Sequence, residues 1–489
     1  MKTMQRAVAF PSIAGAQLKS TPIPFKSCVK ILPNSSSLTL PRNAGLPPSD
    51  AIPATVFAAE PPDASVVVLI SLYSPVAVSS SIIVITPLFR ACFCRNSSST
   101  KLNTSTIEFP IPKTSYLLMI NTRKIIVDLL TKTLHGHFVD DCINKDERIA
   151  GLSQRDKNFI RASLLTTLRH LGEIDHFLTS YTKDKENILR VGVAQIKFMG
   201  MPKYAVIDEM VGLVEAKKYR AFLNTVLRKS AKKMLVRNPQ LNYPKWMRGS
   251  WKKAYGAEKA QSMMEIMITE PDYIDLSYKG GKSERILKPP RVEKIDGYAE
   301  GEWWVQDKSQ RFAVEIMGDI AGKKILDMCA APGGKTAQLI DSGAIVTALD
   351  ASEKRIEVLR ENLARLKMEC EVICADARDF SAEKYDIILL DAPCTATGTI
   401  RRHPEMLYQK NVEDVQKMNA IQSELLGSAY NLLKDNGILV YSTCSLQYEE
   451  GEGLMKKQTK WELLEEKRIL PCDVEDGIAG AYIAKLKKL

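Results

Sequence analysis

From Gly301 onward, short apolar runs alternate with amphipathic stretches, and this alternation limits the possible folds more than any other feature of the chain. Lys324–Met328, Ala344–Leu349, Cys370–Ala375, Tyr385–Leu390 and Gly437–Tyr441 have strand length, and the run at Ala344–Leu349 is followed by Asp350. Helical patterns lie between several of them. Ile356, Leu359, Leu363 and Leu366 recur on one face after Ser352, which predicts a helix capped by that serine, and Val412–Leu433 predicts a long one. Ala481–Leu486 predicts a last strand. Strands spaced by helices predict a parallel, doubly wound α/β sheet, which binds ligands at the carboxyl ends of its strands.

The preceding part, from Met119 to about Lys233, has a helical period throughout. Ser153 can cap a helix, with Asp156 three residues on, and Ile160, Leu164, Leu168, Leu171 and Leu178 continue one apolar face. Further helices are expected over Ile188–Phe198, Val206–Ala216 and Tyr219–Lys232. His135 and His137 have no third ligand in sequence reach, so no metal site is expected there. Residues 236–300 are less regular. Trp246, Trp251 and Tyr255 sit among Lys245, Arg248, Lys252 and Lys253, a mixture that suits either stacked bases or core aromatics beside solvated cations. The expected division is an extension over 1–118, a helical domain over 119–235, a connector over 236–300 that could contact RNA, and an α/β domain over 301–489.

The chain has 489 residues and a net charge of +11, which suits a polyanionic partner. Residues 1–118 hold ten Lys/Arg against four Asp/Glu, and 14 of the 24 prolines. Serine runs interrupt them, and no lasting period is visible, so disorder is expected. The absence of acids before Asp50 also fits an organelle transit peptide, and the apolar stretch Val66–Phe89 approaches membrane-span length. The favoured reading is an extension without a fold, ahead of a natural start at Met119, with no membrane partner. Ten cysteines without paired C-x-x-C spacing make neither a disulfide scaffold nor a zinc site, and a reducing, cytoplasmic setting is expected.

Four strand ends carry chemistry. The first runs into Cys329-Ala330-Ala331-Pro332-Gly333-Gly334-Lys335-Thr336, a Gly-rich turn before a helix. Its Gly-Lys-Thr ending is like a phosphate loop, but Cys329 stands where that loop needs glycine. Asp350 ends the second strand and suits a ribose diol. Asp391-Ala392-Pro393-Cys394 follows the strand at Tyr385–Leu390, and Thr443-Cys444-Ser445 follows the one at Gly437–Tyr441. Two thiols at equivalent strand ends, beside a nucleoside-type turn, point to chemistry rather than packing.

Together, Cys329–Thr336, Asp391–Cys394 and Thr443–Ser445 resemble the RNA cytosine-5 methyltransferases that use S-adenosylmethionine. The helical part, with Leu152–Asp156 and Asn224–Arg228, resembles the NusB-like RNA-binding domain. The pairing is similar to the bacterial RsmB (Sun/Fmu) group, which Val305-Gln306-Asp307 and Asp476-Gly477 also match, over roughly residues 120–489. Ala396 departs from the glycine that many members carry. The resemblance implies a NusB-like domain ahead of a Rossmann-like S-adenosylmethionine-dependent domain, and methylation of one cytosine of 16S rRNA. It makes Cys444 the nucleophile, Cys394 the group assisting product release, and Asp391 the partner of the cytosine edge. Cys329, Ala330, Ala331, Pro332, Gly333, Gly334 and Lys335 would hold the methionine end of the cofactor, Asp350 its ribose and Asp376 its adenine side. The cytosine would have to be flipped out or single-stranded. The same reaction on tRNA or another rRNA site, and a non-catalytic ribosome-assembly factor, are the competing readings. The target nucleotide and oligomeric state are left open.

Overall fold

In the computed structural model, residues 121–183 and 186–489 are described, together with the backbones of five strands nearer the amino terminus. Those strands are Leu38–Arg42, Val66–Ser74, Ala77–Ile85, Ala91–Cys94 and Asn103–Ile107, joined in two small antiparallel sheets. This differs from the expected lack of strand pattern. Runs such as Val66-Val67-Val68 and Ile82-Ile83-Val84-Ile85 are β-branched and favour strands, but they are continuous rather than alternating. The stretch considered as a membrane span contains two of these strands, paired antiparallel. The other expectations for residues 1–118 lie outside the described residues. Among the described residues, no helix is long and apolar enough to cross a membrane.

Helices α1 (Thr122–Leu134), α2 (Gln154–Arg169), α3 (Leu171–Leu178), α4 (Asn187–Lys197), α5 (Lys203–Gly212) and α6 (Lys217–Lys232) form the helical part. Ser153 caps α2, accepting from the Asp156 amide at 3.2 Å. Ile160, Leu164 and Leu168 are buried as expected, with Leu129, Leu189, Val193 and Leu227 around them. The expected continuous face breaks at His170, where α2 ends and α3 begins.

The former connector region supplies α7 (Lys245–Tyr255), α8 (Ala257–Met267) and a three-stranded antiparallel sheet of Tyr273–Tyr278, Ser283–Leu287 and Trp303–Val305. Trp251 is fully buried, so its indole belongs to the core.

The main sheet has seven strands: β1 (Lys324–Met328), β2 (Ile345–Asp350), β3 (Glu371–Cys374), β4 (Tyr385–Asp391), β5 (Leu433–Thr443), β6 (Trp461–Ile469) and β7 (Ala481–Lys488). Their spatial order is β3-β2-β1-β4-β5-β7-β6. The first five are parallel, as expected, while β6 and β7 add an antiparallel edge. Helices α9 (Lys308–Glu315), α10 (Gly334–Asp341), α11 (Glu353–Leu366) and α12 (Val412–Leu432) cover it. Strand period divides β4 between two cores. Ile388 and Leu390 pack with Leu425, Leu426 and Ala429 of α12, and Ile387 and Leu389 pack with Ala313, Val314 and Leu339 of α9 and α10. Ser352 occupies the position before α11 but makes no side-chain cap, contrary to expectation; its amide donates to Asp350 Oδ1 at 3.1 Å.

Helical and sheet parts meet at the loop that follows Cys394. Arg169 donates to the Arg401 carbonyl at 2.8 Å, the Tyr408 hydroxyl to the Leu168 carbonyl at 2.8 Å, and Gln409 to the carbonyls of Thr133 and His137 at 3.1 and 2.8 Å.

Candidate active site

The chain places its chemistry where parallel strands release it. Asp391 of β4 lies in register with Ser442 of β5, so the residues after both strands emerge side by side. The Cys394 and Cys444 sulfurs are 3.4 Å apart. That shared contact, followed by burial, raises the Cys394 pKa well above the ordinary thiol value, so Cys394 keeps its proton. Next to them, Asp391 accepts from the Ser442 hydroxyl at 2.8 Å and from the Lys335 ammonium at 2.8 Å. Lys335 also donates to Gln310 of α9 at 2.6 Å. The resemblance assigned Lys335 to the cofactor loop; here two of its three N–H donors go to Asp391 and Gln310.

The turn after β1 is held from the β2 side. Asp350 Oδ2 accepts from the Ala331 amide at 3.2 Å, and Asn362 donates to the Pro332 carbonyl at 2.9 Å. Gly333 has φ +102°, a conformation that favours glycine, and a Cβ there would press on Leu359 Cγ at 3.3 Å. Ala330 and Ala331 are buried, while Gly334 and Lys335 open α10.

Cys329, Asp350, Asp376 and Pro393 line one cavity, with Ala377 and Leu425 forming apolar wall. Arg378 holds the Asp376 carboxyl at about pKa 2 through its side-chain hydrogen bonds, so Asp376 is an acceptor at any working pH. Burial pushes the Cys329 thiol up to about 12, which removes it as a nucleophile. Carboxylates at neighbouring strand ends, flanked by apolar wall, fit the diol and base of S-adenosylmethionine. Beneath the turn, Asp327 is fully buried, and its Oδ1 has no hydrogen-bond partner among the described residues.

Burial raises the Asp327 pKa from the ordinary 3.8 to about 7, with Thr336 donating to its Oδ2. A raised carboxyl pKa means that the unfolded chain releases this proton first, so stability from this residue is lost as pH rises from 3.8 to about 7. Asp327→Asn should therefore raise the melting temperature by an amount that grows across that window and levels off above it, as read by thermal scans at several pH values.

Sequence reading missed Glu450. Its carboxylate accepts from the Thr395 amide at 2.9 Å, the Ser445 hydroxyl at 2.5 Å, Gln422 at 3.1 Å and the Thr395 hydroxyl. It joins the residue after Cys394 to the residue after Cys444, and it is fully buried. The pair Glu449-Glu450 gives no sequence sign of which acid turns inward; Glu449 is exposed. Glu450→Ala would leave several buried donors unpaired and should cost about 3 kcal/mol in urea unfolding, with Glu450→Gln recovering part of it.

The profile of the family described as 16S rRNA methyltransferase RsmB/F matches residues 316–477, and that of the NusB family matches residues 120–232. Ribosomal RNA small subunit methyltransferase B of Pasteurella multocida is 32% identical over 372 residues, covering 65% of this chain and 83% of that protein. Its namesake from Proteus mirabilis is 32% identical over 386 residues, covering 69% and 90%. The solved structure of PH0851 shares the fold, with a TM-score of 0.62 at 19% identity over 76% of this chain and 99% of that one. Fold and site thus define a NusB domain joined to a methyltransferase domain that uses S-adenosylmethionine. The chain belongs to the 16S rRNA methyltransferase RsmB/F family.

Proposed function

We propose that this protein methylates carbon 5 of one cytosine in small-subunit (16S) rRNA through a covalent cysteine–cytosine adduct. The observation that carries this reading is the pair of sulfurs 3.4 Å apart at the ends of β4 and β5, beside Asp391. Carbon 5 of cytosine is a weak nucleophile. A thiolate added to carbon 6 makes it enamine-like. Cys394 keeps its proton beside Cys444, and in this reading Cys444 is the attacking sulfur, the role the resemblance implies. Asp391 is held by Lys335 and Ser442, and in this reading it bonds the cytosine edge and stabilises the protonated adduct. S-adenosylmethionine, when bound, supplies an electrophilic methyl group. After carbon 5 is methylated, its proton leaves to a base, the Cys444–carbon 6 bond breaks, and Cys394 assists that release. A base must leave its stack to reach these sulfurs, so a flipped or single-stranded cytosine is the substrate.

Asp350 takes the cofactor ribose in this reading, and Asp376 faces the adenine side. Asp350→Ala should weaken S-adenosylmethionine binding by about ten- to a hundredfold, the ~1.5–3 kcal/mol of a charge-assisted hydrogen bond. Calorimetry with unchanged affinity would remove Asp350 from the site. The overall reading is tested by bisulfite sequencing of small-subunit rRNA from cells with and without the gene. One cytosine should lose its protection when the gene is deleted; an unchanged pattern would reject the assignment.

A further inference from the structure

Residues 216–257 contain twelve Lys/Arg and no Asp/Glu. The rest of residues 119–489 holds 46 Lys/Arg against 53 Asp/Glu, so this one stretch is basic within an otherwise acidic body. It comprises α6, the segment after it, and α7. Among the described residues, only Arg237 of the twelve makes an ion pair, with Glu173. Unpaired cations concentrated in one stretch carry a strong field available to an outside anion.

The stretch reaches the reaction centre. Ser250 of α7 donates to Gln447 at 3.0 Å, and the Tyr255 hydroxyl donates to the Leu446 carbonyl at 2.8 Å. Both bonds fasten α7 to the loop that carries Cys444. The apolar side of α7, Met247 and Trp251, packs on Ile400, Leu446 and Leu470. Lys245, Lys252 and Lys253 are exposed. At the other end, Lys203 and Tyr204 of α5 and Arg228 and Lys232 of α6 line an open groove, whose wall has a single acid, Asp208. Tyr204 is 80% exposed there and offers a face for stacking.

We propose that α6 and α7 form a basic track that binds the phosphate backbone of the RNA flanking the target base and leads it to Cys444. This rests on RNA being the substrate, but not on the cysteine chemistry. The density of cations beside the exposed Tyr204 favours single-stranded RNA over a lipid surface, since Met234 and Val236, also exposed between α6 and α7, are two residues and not an apolar helix face.

The test measures binding of a fluorescent single-stranded RNA oligonucleotide to the full chain across a potassium chloride series. Three triple variants are compared with the parent: K245Q/K252Q/K253Q on α7, R228Q/K229Q/K232Q on α6, and K279Q/K323Q/K384Q as a control outside the stretch. All nine positions are exposed. Each track variant should weaken binding and reduce the slope of log affinity against log salt by about 2, from ~0.7 per phosphate contact. The control should leave the slope unchanged. An unchanged slope in either track variant, or an equal drop in the control, overturns the proposal. So does tighter binding of the parent to phosphatidylserine vesicles than to RNA. If rRNA shows no dependence on the gene in bisulfite sequencing while these salt slopes behave as expected, the methylation reading fails and the track stands.

Discussion

Cys444→Ala is expected to leave a folded protein that binds S-adenosylmethionine and transfers no methyl group. The side chain is half-buried at the end of β5, and its loss removes little packing. Its backbone carbonyl, which accepts from the Gly398 amide at 2.8 Å, is untouched by the change. What disappears is the sulfur that attacks carbon 6 in the proposed reaction, and without that bond carbon 5 would stay unreactive. The rate of 5-methylcytosine formation should fall by on the order of 10⁴-fold or more, because no neighbouring group replaces a covalent nucleophile. Calorimetry should give parent-like cofactor affinity, and no RNA-linked band should appear on a denaturing gel. Retained methylation would move the nucleophile elsewhere.

Cys394→Ala should produce the opposite failure. The attacking sulfur remains, so the adduct forms and the methyl group is transferred, but the elimination that frees the enzyme is impaired. A protein–RNA species should accumulate and survive denaturation, and turnover should fall while a single methylation per enzyme persists. Two thiols that merely filled the core would give similar mild destabilisation in both variants and no band in either. A band from Cys444→Ala and none from Cys394→Ala would exchange the two roles.

Much of this centre could be read before any coordinates, for a physical reason. β2, β4 and the second half of β5 are buried on both faces, so each is written as a largely apolar run, and the polar residue or cysteine that follows marks the ligand-binding edge. Cys394, Cys444, Asp391 and Asp350 were legible in that way. Partners supplied from other elements were not. Gln310 reaches Lys335 from α9, and Glu450 turns inward beside an exposed glutamate; neither has a local pattern. β6 escaped notice because it is an edge strand buried only toward its ends, and its sequence Trp-Glu-Leu-Leu-Glu-Glu-Lys-Arg-Ile alternates poorly. The hairpin at Tyr273–Leu287 carried a Gly280-Gly281 turn signal, obscured by the irregular, proline-containing stretch around it. In the aromatic cluster near Lys245, burial puts Trp251 inside and the lysines outside, with Trp246 and Tyr255 half-buried between them.

The bonds from Arg169, Tyr408 and Gln409 across the seam tie the helical bundle to the very loop that leaves Cys394. A helical domain on a slack tether would let the thiols sample many bases near a landing point. Bolted in this way, the bundle and the sulfurs behave like the two jaws of a fixed caliper. Whatever feature of the RNA the bundle grips, the base offered to Cys444 lies at one set span from it. If one cytosine is the target, as proposed, its selection becomes a matter of length as much as of recognition, and loosening the seam should blur which base is modified before it slows the modification itself.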